Sequence, residues 1–196
     1  MSAATGAGRP GWWARSDPGD GLLLRRLEEA DAAGVLSVHG DPRVYSFDPI
    51  EVHTDLAMAA TFLVPMLDHW ARHGFGYWTV LVPAVWWPAG VTGPVTGDGG
   101  RVNAGMGGIQ HHDLVGEPVL NVYYRFAPAV QGRGLARRVI EASVRLAAET
   151  APDLDLVVRT RPANAAAQHV AERAGFVDEG LDPGTTDMQL LRLRMR

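Results

Sequence analysis

The segment best suited to chemistry is a glycine-containing turn between a strand-like run and an amphipathic helical pattern. Gly132 and Gly134 flank Arg133 in this turn, and Arg137 and Arg138 follow in the first helical turn. Glycine permits backbone conformations that other residues resist, so successive N–H groups can converge on an anion at the positive end of a helix. The pattern favours a phosphate-binding turn, with a purely structural turn as the alternative.

A second set of side chains could relay a proton. His111 and His112 end a predicted central strand, and the pKa of an unperturbed imidazole lies close to neutrality. Asn121 and Tyr123 share one face of the following strand, because side chains alternate along a strand. We favour His112 as the base, with Tyr123 and Asn121 near it; solvated loop histidines, a packed tyrosine and a hydrogen-bonded asparagine are the alternatives. On this hypothesis, His112→Ala lowers turnover by more than about tenfold at neutral pH.

Other chemistry is restricted by what the sequence holds. The chain has no cysteine and no lysine, which excludes thiolate catalysis, disulfides, Cys-ligated zinc, Schiff bases and Walker-type phosphate loops. A dinucleotide-binding turn is disfavoured because the third small residue of its pattern would be Arg137. His69 and His73 lie four residues apart on one predicted helix face, a spacing that two metal ligands can share. No third ligand is evident in the sequence, so we expect no metal site.

The composition fits one compact domain. The chain has 196 residues, of which 46% are hydrophobic and 20% charged, enough apolar material for a buried core. Its net charge of -4 gives no general attraction to nucleic acid or to an anionic membrane, and we expect neither as a partner. The early glycines and prolines predict a loosely ordered leader at 1–20, followed by a single domain at 21–196. No apolar targeting or membrane-spanning segment is evident, so we expect a cytoplasmic protein.

Alternating strand and helix patterns position these residues. A strand is predicted at Leu22–Leu27 and a helix at Glu28–His39. A longer helix runs from an N-cap at Thr54 to His73, where Gly74 ends it. The remaining predicted elements are strands at Phe75–Val82, Asn103–His111 and Pro118–Phe126, a long loop at 83–102, a helix at Leu135–Thr150, a strand at Leu154–Thr160, a helix at Asn164–Ala174, and strands near Phe176 and at Met188–Met195.

The turn and its surroundings resemble a known signature. Gln131, Gly134 and Ala136 match the acetyl-CoA signature of the GNAT N-acetyltransferase superfamily, which is Gln or Arg, two residues, Gly, one residue, then Gly or Ala. The segment from Asn164 to the ending Ala174-Gly175-Phe176 resembles a later motif of that superfamily. The opening strand and the block before the helix are most similar to the branch that contains ribosomal-protein N-terminal acetyltransferases and also acetylases of small amines.

The resemblance implies a fold, a cosubstrate and a reaction. The fold is α/β (α+β), with a central, mostly antiparallel mixed sheet flanked by helices, and the cosubstrate is acetyl-CoA. The reaction is direct transfer of an acetyl group to a primary amine, on a protein N-terminus or a small molecule, in a ternary complex. We expect a monomer or homodimer. Tyr45 and Phe47 lie where relatives often shape acceptor specificity.

The resemblance also implies contacts with acetyl-CoA, residue by residue. Main-chain amides of the turn would bind the pyrophosphate. The residues of that turn are Gln131, Gly132, Arg133, Gly134, Leu135 and Ala136. Arg125, Phe126 and Ala127 would meet the pantetheine arm like an added strand. Asn164 would hydrogen-bond that arm, although its position equally suits a helix N-cap.

The resemblance leaves the catalytic residues open. Many relatives carry a glutamate on the strand before the turn, at the position of Asn121, and some use a second position that is Arg159 here. No tyrosine follows Tyr124 to match the general acid that others carry on the last helix. We therefore keep His112, Tyr123 and Asn121 as candidates. The alternative to an enzyme is a non-catalytic acyl-CoA-binding module of the same fold.

Overall fold

The computed structural model describes residues 11–46, 52–87, 98–185 and 187–195. Its helices are α1 (Ala32–His39), α2 (Leu56–His73), α3 (Leu135–Thr150) and α4 (Ala165–Arg173). Its strands are β1 (Arg15–Ser16), β2 (Leu23–Arg26), β3 (Tyr77–Pro83), β4 (Arg101–Leu114), β5 (Glu117–Phe126), β6 (Leu156–Thr160), β7 (Val177–Leu181) and β8 (Gln189–Leu193). The predicted α/β (α+β) class is confirmed.

The strands of the described ranges form a single eight-stranded sheet. Their order is β1-β2-β3-β4-β5-β6-β8-β7. Neighbouring strands are antiparallel except β5 and β6, which run parallel. A parallel pair needs a crossover connection, and α3 supplies it. The sheet is therefore mixed and mostly antiparallel, as predicted.

Helix α3 packs its apolar face on the central strands. Leu135, Val139 and Leu146 on this face are buried. The helix can approach β4 closely because Gly107 has no side chain: a Cβ at that position would lie 2.9 Å from Val139 Cγ1. The observed bounds of α3 match the predicted ones, because its apolar spacing and the glycine before it are both local signals.

The first described residues pack on the domain. Trp12 Nε1 donates to Glu149 Oε2 (2.8 Å), and Trp13 Nε1 donates to the carbonyl oxygen of Gly74 (2.9 Å). Strand β1 follows and pairs with β2. The two indole groups of the predicted leader at 1–20 therefore have hydrogen-bond partners on α3 and at the end of α2.

Helix α2 begins one residue later than predicted. Asp55 is the N-cap, and its Oδ1 accepts a hydrogen bond from the amide of Met58 (2.8 Å). Thr54 instead donates its hydroxyl to Asp55 Oδ2 (3.2 Å). Gly74 ends the helix as predicted, with a φ of 72° that favours glycine. Among the described residues, no helix combines the length and apolar character needed to cross a bilayer.

Strand β4 is longer than predicted and contains both His111 and His112. It runs to Leu114, and the two-residue turn Val115-Gly116 joins it to β5. His111 and His112 therefore lie within paired strand and not in a polar turn. The prediction ended the strand too early because the pattern from His111 to Asp113 is polar, whereas the pairing with β5 continues through it.

Candidate functional site

Strands β5 and β6 separate partway along their length and open a cavity. Their parallel pairing extends from Leu120 with Leu156 to Val122 with Val158, and no further pair follows among the described residues. A cavity of about 790 Å³ lies beyond this point, within the size range of small-molecule sites. Its lining comes from β5, the glycine turn, α3, β6, α4 and the segment after α1. Elements that are distant in sequence thus meet at one opening.

The glycine turn presents backbone N–H groups to this cavity. Gly132 and Gly134 have φ values of 77° and 72°, and a Cβ at either would meet no atom within 4 Å. Gly134 is the N-cap of α3 and has no side chain to cap the helix. Helical pairing begins with the amide of Arg138, which donates to the carbonyl oxygen of Gly134 (3.2 Å). The amides before it are left for an anion, so the turn fits a pyrophosphate.

Most of the predicted acetyl-CoA contacts line the cavity. Those that do are Arg125, Phe126, Gln131, Gly132, Gly134, Leu135, Ala136 and Asn164. Ala127 and Arg133 are absent from the lining. Ala127 is buried, and its amide donates to the carbonyl oxygen of Ala104 (2.8 Å). The Arg133 guanidinium donates to the carbonyl oxygen of Trp86 (3.1 Å) and lies over the indole ring, which holds its charge beside the turn.

Asn164 is the N-cap of α4 and also lies in the cavity lining. Its Oδ1 accepts a hydrogen bond from the amide of Ala167 (3.2 Å), which is the N-cap bond of α4. The residue also lines the cavity. Its Nδ2 makes no hydrogen bond to any described residue. The cap therefore orients the side chain and leaves a donor for a ligand.

Of the catalytic candidates on β5, one lines the cavity and the other supports it. Tyr123 lines the cavity, and its ring centroid lies 5.2 Å from that of Tyr77. Asn121 is not part of the lining; its Nδ2 donates to the Tyr77 hydroxyl (3.1 Å). Burial raises the pKa of Tyr77 to about 12, so its phenol stays protonated. The placement gives Asn121 a positioning contact with the tyrosine pair.

His112, which the sequence suggests as the base, lies apart from the cavity. It is not among the lining residues. It sits opposite Val119, before the segment in which β5 and β6 pair, whereas the strands open after that segment. Burial and the charge of Arg159 lower its pKa, while Asp182 and Asp113 partly offset this shift. The sequence could not show this separation because it depends on the register of three strands.

Behind Arg125 lies a column of stacked and hydrogen-bonded side chains. The Arg125 guanidinium carbon lies 3.8 Å from the ring centroid of Tyr45. The Tyr45 hydroxyl lies 2.7 Å from Nδ1 of the buried His39. Burial, with smaller effects from Arg125 and His53, lowers the pKa of His39 to about 2, so this imidazole is neutral at ordinary pH. Tyr45 thus supports the cavity, while Phe47, the other predicted acceptor residue, lies outside the described residues.

The described lining carries positive charge. It includes Arg43, Arg125, Arg137 and Arg159, and it includes no Asp, Glu or His. Acids outside the lining pair with three of these arginines: Asp41 with Arg43 (2.6 Å), Glu141 with Arg137 (2.8 Å) and Asp182 with Arg159. The Arg125 guanidinium lies over the rings of Tyr45 and Tyr123, with no acid paired to it within the described residues. Arg125 is therefore the cation most available to a ligand.

The sequence pointed to the segment after α1 through Tyr45 and Phe47, but it did not identify the residues of that segment that line the cavity. Arg43, Val44 and Ser46 line the cavity. Locally, the Asp41 side chain accepts a hydrogen bond from the amide of Arg43 (2.9 Å) and begins the 3-10 turn Pro42–Tyr45. That local signal predicts a turn and nothing more. The approach of this turn to β5 depends on the packing of α1 against β4, which is a long-range contact.

Comparisons with known proteins agree with this geometry. The profile described as an acetyltransferase (GNAT) domain matches residues 21–177. An acetyltransferase structure from Agrobacterium tumefaciens strain C58 is similar, with a TM-score of 0.67, 24% identity, and coverage of 89% of this chain and 91% of that chain. RimL, a ribosomal L7/L12 alpha-N-protein acetyltransferase in complex with coenzyme A, gives a TM-score of 0.67 at 16% identity and covers 92% and 97%. MccE, a microcin C7 self-immunity acetyltransferase in complex with acetyl-CoA and AMP, gives 0.64 at 13% identity and covers 90% and 93%.

Proposed function

The chain belongs to the acetyltransferase (GNAT) domain family, and on this premise we propose that it transfers an acetyl group from acetyl-CoA directly to a primary amine. The observation that carries the proposal is the turn of Gly132 and Gly134, which opens α3 at the point where β5 and β6 separate. An anion cradle and an open strand edge thus lie side by side. This combination suits a long ligand with a pyrophosphate at one end and a reactive group at the other.

The donor would be held mainly by main-chain groups. The amides of the turn and of the first turn of α3 would bind the pyrophosphate, and the β5 edge at Arg125 and Phe126 would pair with the pantetheine arm. Asn164 would donate its Nδ2 hydrogen atoms to that arm. Acetyl-CoA supplies a thioester, which is an activated acyl group. The similarity to RimL and MccE, whose structures hold coenzyme A and acetyl-CoA, supports this assignment.

The residues of the chain favour direct attack by the amine. The chain has no cysteine, so no acetyl-cysteine can form. The ammonium form of the acceptor must lose a proton before it attacks, and the described lining offers no carboxylate or imidazole to take that proton. We assign this proton to solvent. As the C–N bond forms and the C–S bond breaks, Tyr123 donates its hydroxyl proton to the departing sulfur, and N–H groups of the open β5 edge stabilise the oxyanion. The acceptor nitrogen then releases its second proton to solvent, and Tyr123 recovers a proton from solvent. The rate of acetyl transfer should therefore rise with pH as the acceptor amine loses its proton.

The charge of the lining narrows the acceptor to an amine on a neutral or acidic molecule. Arg125 lines the cavity, and its guanidinium lies over two tyrosine rings with no acid paired to it among the described residues. A carboxylate on the acceptor would approach this guanidinium favourably, whereas a polyamine would be repelled. A protein or peptide N-terminus followed by acidic side chains has the required amine and charge. The similarity to RimL, an alpha-N-protein acetyltransferase, is consistent with a protein N-terminus as the acceptor.

The first experiment measures release of free thiol from acetyl-CoA across a panel of acceptors. The chain has no cysteine, so every thiol detected comes from coenzyme A. The panel contains peptides with acidic or basic residues after the N-terminus, polyamines, aminoglycosides and amino acids. We expect turnover with acidic peptides and little with polyamines. Stoichiometric binding of acetyl-CoA without thiol release on any acceptor would contradict acetyl transfer and support a binding module.

A pair of arginine variants tests the acceptor class separately. Arg125→Gln should raise the KM for an acidic peptide by about tenfold and leave the KM for acetyl-CoA unchanged, because the lost charge is not neutralised by an acid. Arg43→Gln is the matched control. Its guanidinium is already paired with Asp41, so we expect a change of less than about threefold. Equal effects of the two variants, or turnover restricted to polyamines, would contradict the acidic acceptor without affecting the transfer reaction.

A further inference from the structure

Three histidines, of which one is buried and two are exposed, meet at the end of α2. His69 and His73 come from successive turns of α2, and His111 comes from β4. One ligand nitrogen from each can be chosen so that all lie within 4.8 Å of one another. His69 Nε2 and His111 Nδ1 are 3.2 Å apart, and the ring centroids of His73 and His111 are 4.4 Å apart. The structure thus supplies the third ligand that the sequence did not reveal.

His69 is already oriented as a metal ligand. It is buried, and its Nδ1 lies 2.8 Å from the carbonyl oxygen of Phe75, which fixes the N–H on Nδ1. The Nε2 lone pair then points toward His111. A ligating histidine in a metal site typically donates its other ring N–H to a carbonyl or carboxylate in this way. His69, the buried member of the three, therefore already makes the hydrogen bond that a metal-binding histidine typically makes through its other ring nitrogen.

Two nitrogen atoms of His111 lie close to the single lone pair of His69 Nε2. The backbone amide of His111 lies 3.0 Å from Nε2, and His111 Nδ1 lies 3.2 Å from it. Two imidazole ligands on a tetrahedral zinc ion, with Zn–N bonds of about 2.0 to 2.1 Å, have their nitrogen atoms roughly 3.3 Å apart. The observed distance of 3.2 Å between His69 Nε2 and His111 Nδ1 already matches this separation of nitrogen atoms. Coordination would release the His111 amide to water, since β3 begins opposite Gly108 and does not cover this part of β4.

We propose that His69, His73 and His111 bind one divalent transition-metal ion, with zinc as the ion that fits best. His69 provides the fixed ligand, while the exposed His73 and His111 can adjust to complete three sides of a tetrahedron. A solvent molecule would take the fourth position. None of the three histidines lines the cavity, so the ion would tie the end of α2 to β4 instead of taking part in acetyl transfer. This site would revise the sequence-based expectation of no metal.

The test uses the full chain after removal of metal by chelation. Calorimetric titration with zinc should give one ion per chain, and cobalt substitution should give the visible absorption of a tetrahedral site. His73→Ala and His111→Ala should each weaken zinc binding by at least about tenfold. His169→Ala, which removes an exposed histidine on α4, should leave zinc affinity unchanged.

Thermal unfolding provides a readout that is independent of activity. Zinc should raise the unfolding temperature of the parent chain and of His169→Ala, but not that of His73→Ala, because only a ligand bound to the folded state stabilises it. His73 is exposed, so its replacement should leave the metal-free protein folded. Binding that survives both His73→Ala and His111→Ala, binding lost equally in His169→Ala, or no saturable binding up to about 100 µM zinc would overturn the proposal.

Discussion

If the chain transfers an acetyl group as proposed, the two sides of the cavity recognise their ligands by different means. The donor side consists of the turn at Gly132 and Gly134 with the start of α3, and it offers main-chain N–H groups. The acceptor side consists of Arg125 and Tyr123 on β5 with the segment after α1, and it offers side chains. The first depends on backbone conformation within a few consecutive residues. The second depends on the packing of elements that are far apart in sequence.

This difference explains what the amino-acid sequence can reveal. A positive φ before an amphipathic helix requires glycine, so the residue type itself reports the geometry of the donor side. The acceptor side has no such requirement, because an arginine over a tyrosine ring can be built in many ways. A site carried by the main chain is therefore easier to predict than one carried by side chains.

The largest effect is expected from closing the donor side. Gly134→Trp should lower kcat/KM for acetyl-CoA by at least about 100-fold, because an indole would occupy the cradle and the left-handed φ disfavours any side chain. Gly116→Trp is the matched control, since Gly116 also has a positive φ and open space around its Cβ but lies in the turn between β4 and β5. Acetyl-CoA binding measured by calorimetry should be lost in the first variant only. A similar loss in both would mean that backbone strain, and not the cradle, is responsible.

The next effect concerns the stability of the acceptor side. Because the pKa of His39 is lowered to about 2 in the folded protein, the unfolded chain binds a proton that the folded chain does not at any pH between that value and about 6.5. Stability is complete above this window and falls as the pH decreases through it. The expected contribution of His39 to the loss of unfolding free energy between pH 7 and pH 5 is about 2 kcal/mol. His69, His111 and His112 also have lowered pKa values and add to the total loss.

Denaturant unfolding across pH 5 to 7 measures this loss. Carboxylates with lowered pKa, such as Asp41, contribute mainly below this range. His39→Gln should reduce the slope of stability against pH, whereas His169→Gln, at an exposed position, should leave the slope unchanged. The groups facing His39 are Tyr45, His53 and Arg125. An unchanged slope in His39→Gln would show that this column does not bury a neutral histidine.

Much of the fold could be predicted from sequence because its signals are local. The bounds of α3 were correct because its apolar residues repeat at helical spacing and Gly134 precedes them. The N-cap of α2 and the length of β4 were predicted incorrectly, for two reasons. Thr54 and Asp55 are both good caps, and only the hydrogen bond to Met58 distinguishes them. Strand β4 continues through polar residues because its pairing with β5 persists.

The candidate site shows the same difference between local signals and long-range contacts. The turn from Gln131 to Ala136 and the N-cap Asn164 could be proposed from the sequence because glycine spacing and the resemblance to the GNAT signature both point to this part of the chain. The separation of His112 from the cavity could not, because it depends on how far β5 and β6 remain paired. The meeting of His111 with the two histidines of α2 was equally hidden, since it joins residues 42 positions apart. Sequence spacing shows contacts along one element, whereas these contacts join different ones.

A smaller effect is expected from removing the proton donor of the acceptor side. Tyr123→Phe should lower kcat by about tenfold without changing the KM for acetyl-CoA, because the ring is retained and only the hydroxyl is lost. Tyr124→Phe is the control: its hydroxyl donates to the carbonyl oxygen of Ala167 (3.2 Å), so the variant should lose about 1 kcal/mol of stability and little turnover. Turnover that is unchanged in Tyr123→Phe would remove this residue from the reaction.

The smallest effect should come from the histidine that the sequence favours as the base. His112 is half-buried on β4, opposite Val119 and away from the opening between β5 and β6. His112→Ala should therefore change kcat by less than about threefold, and the pH profile of kcat should keep following the acceptor amine. A loss of kcat of more than about tenfold, together with loss of a histidine ionisation from the pH profile of kcat, would instead mean that the proton leaves through His112. That result would make the acceptor side depend on a side chain outside the cavity, and the assignment of the proton to solvent would be wrong.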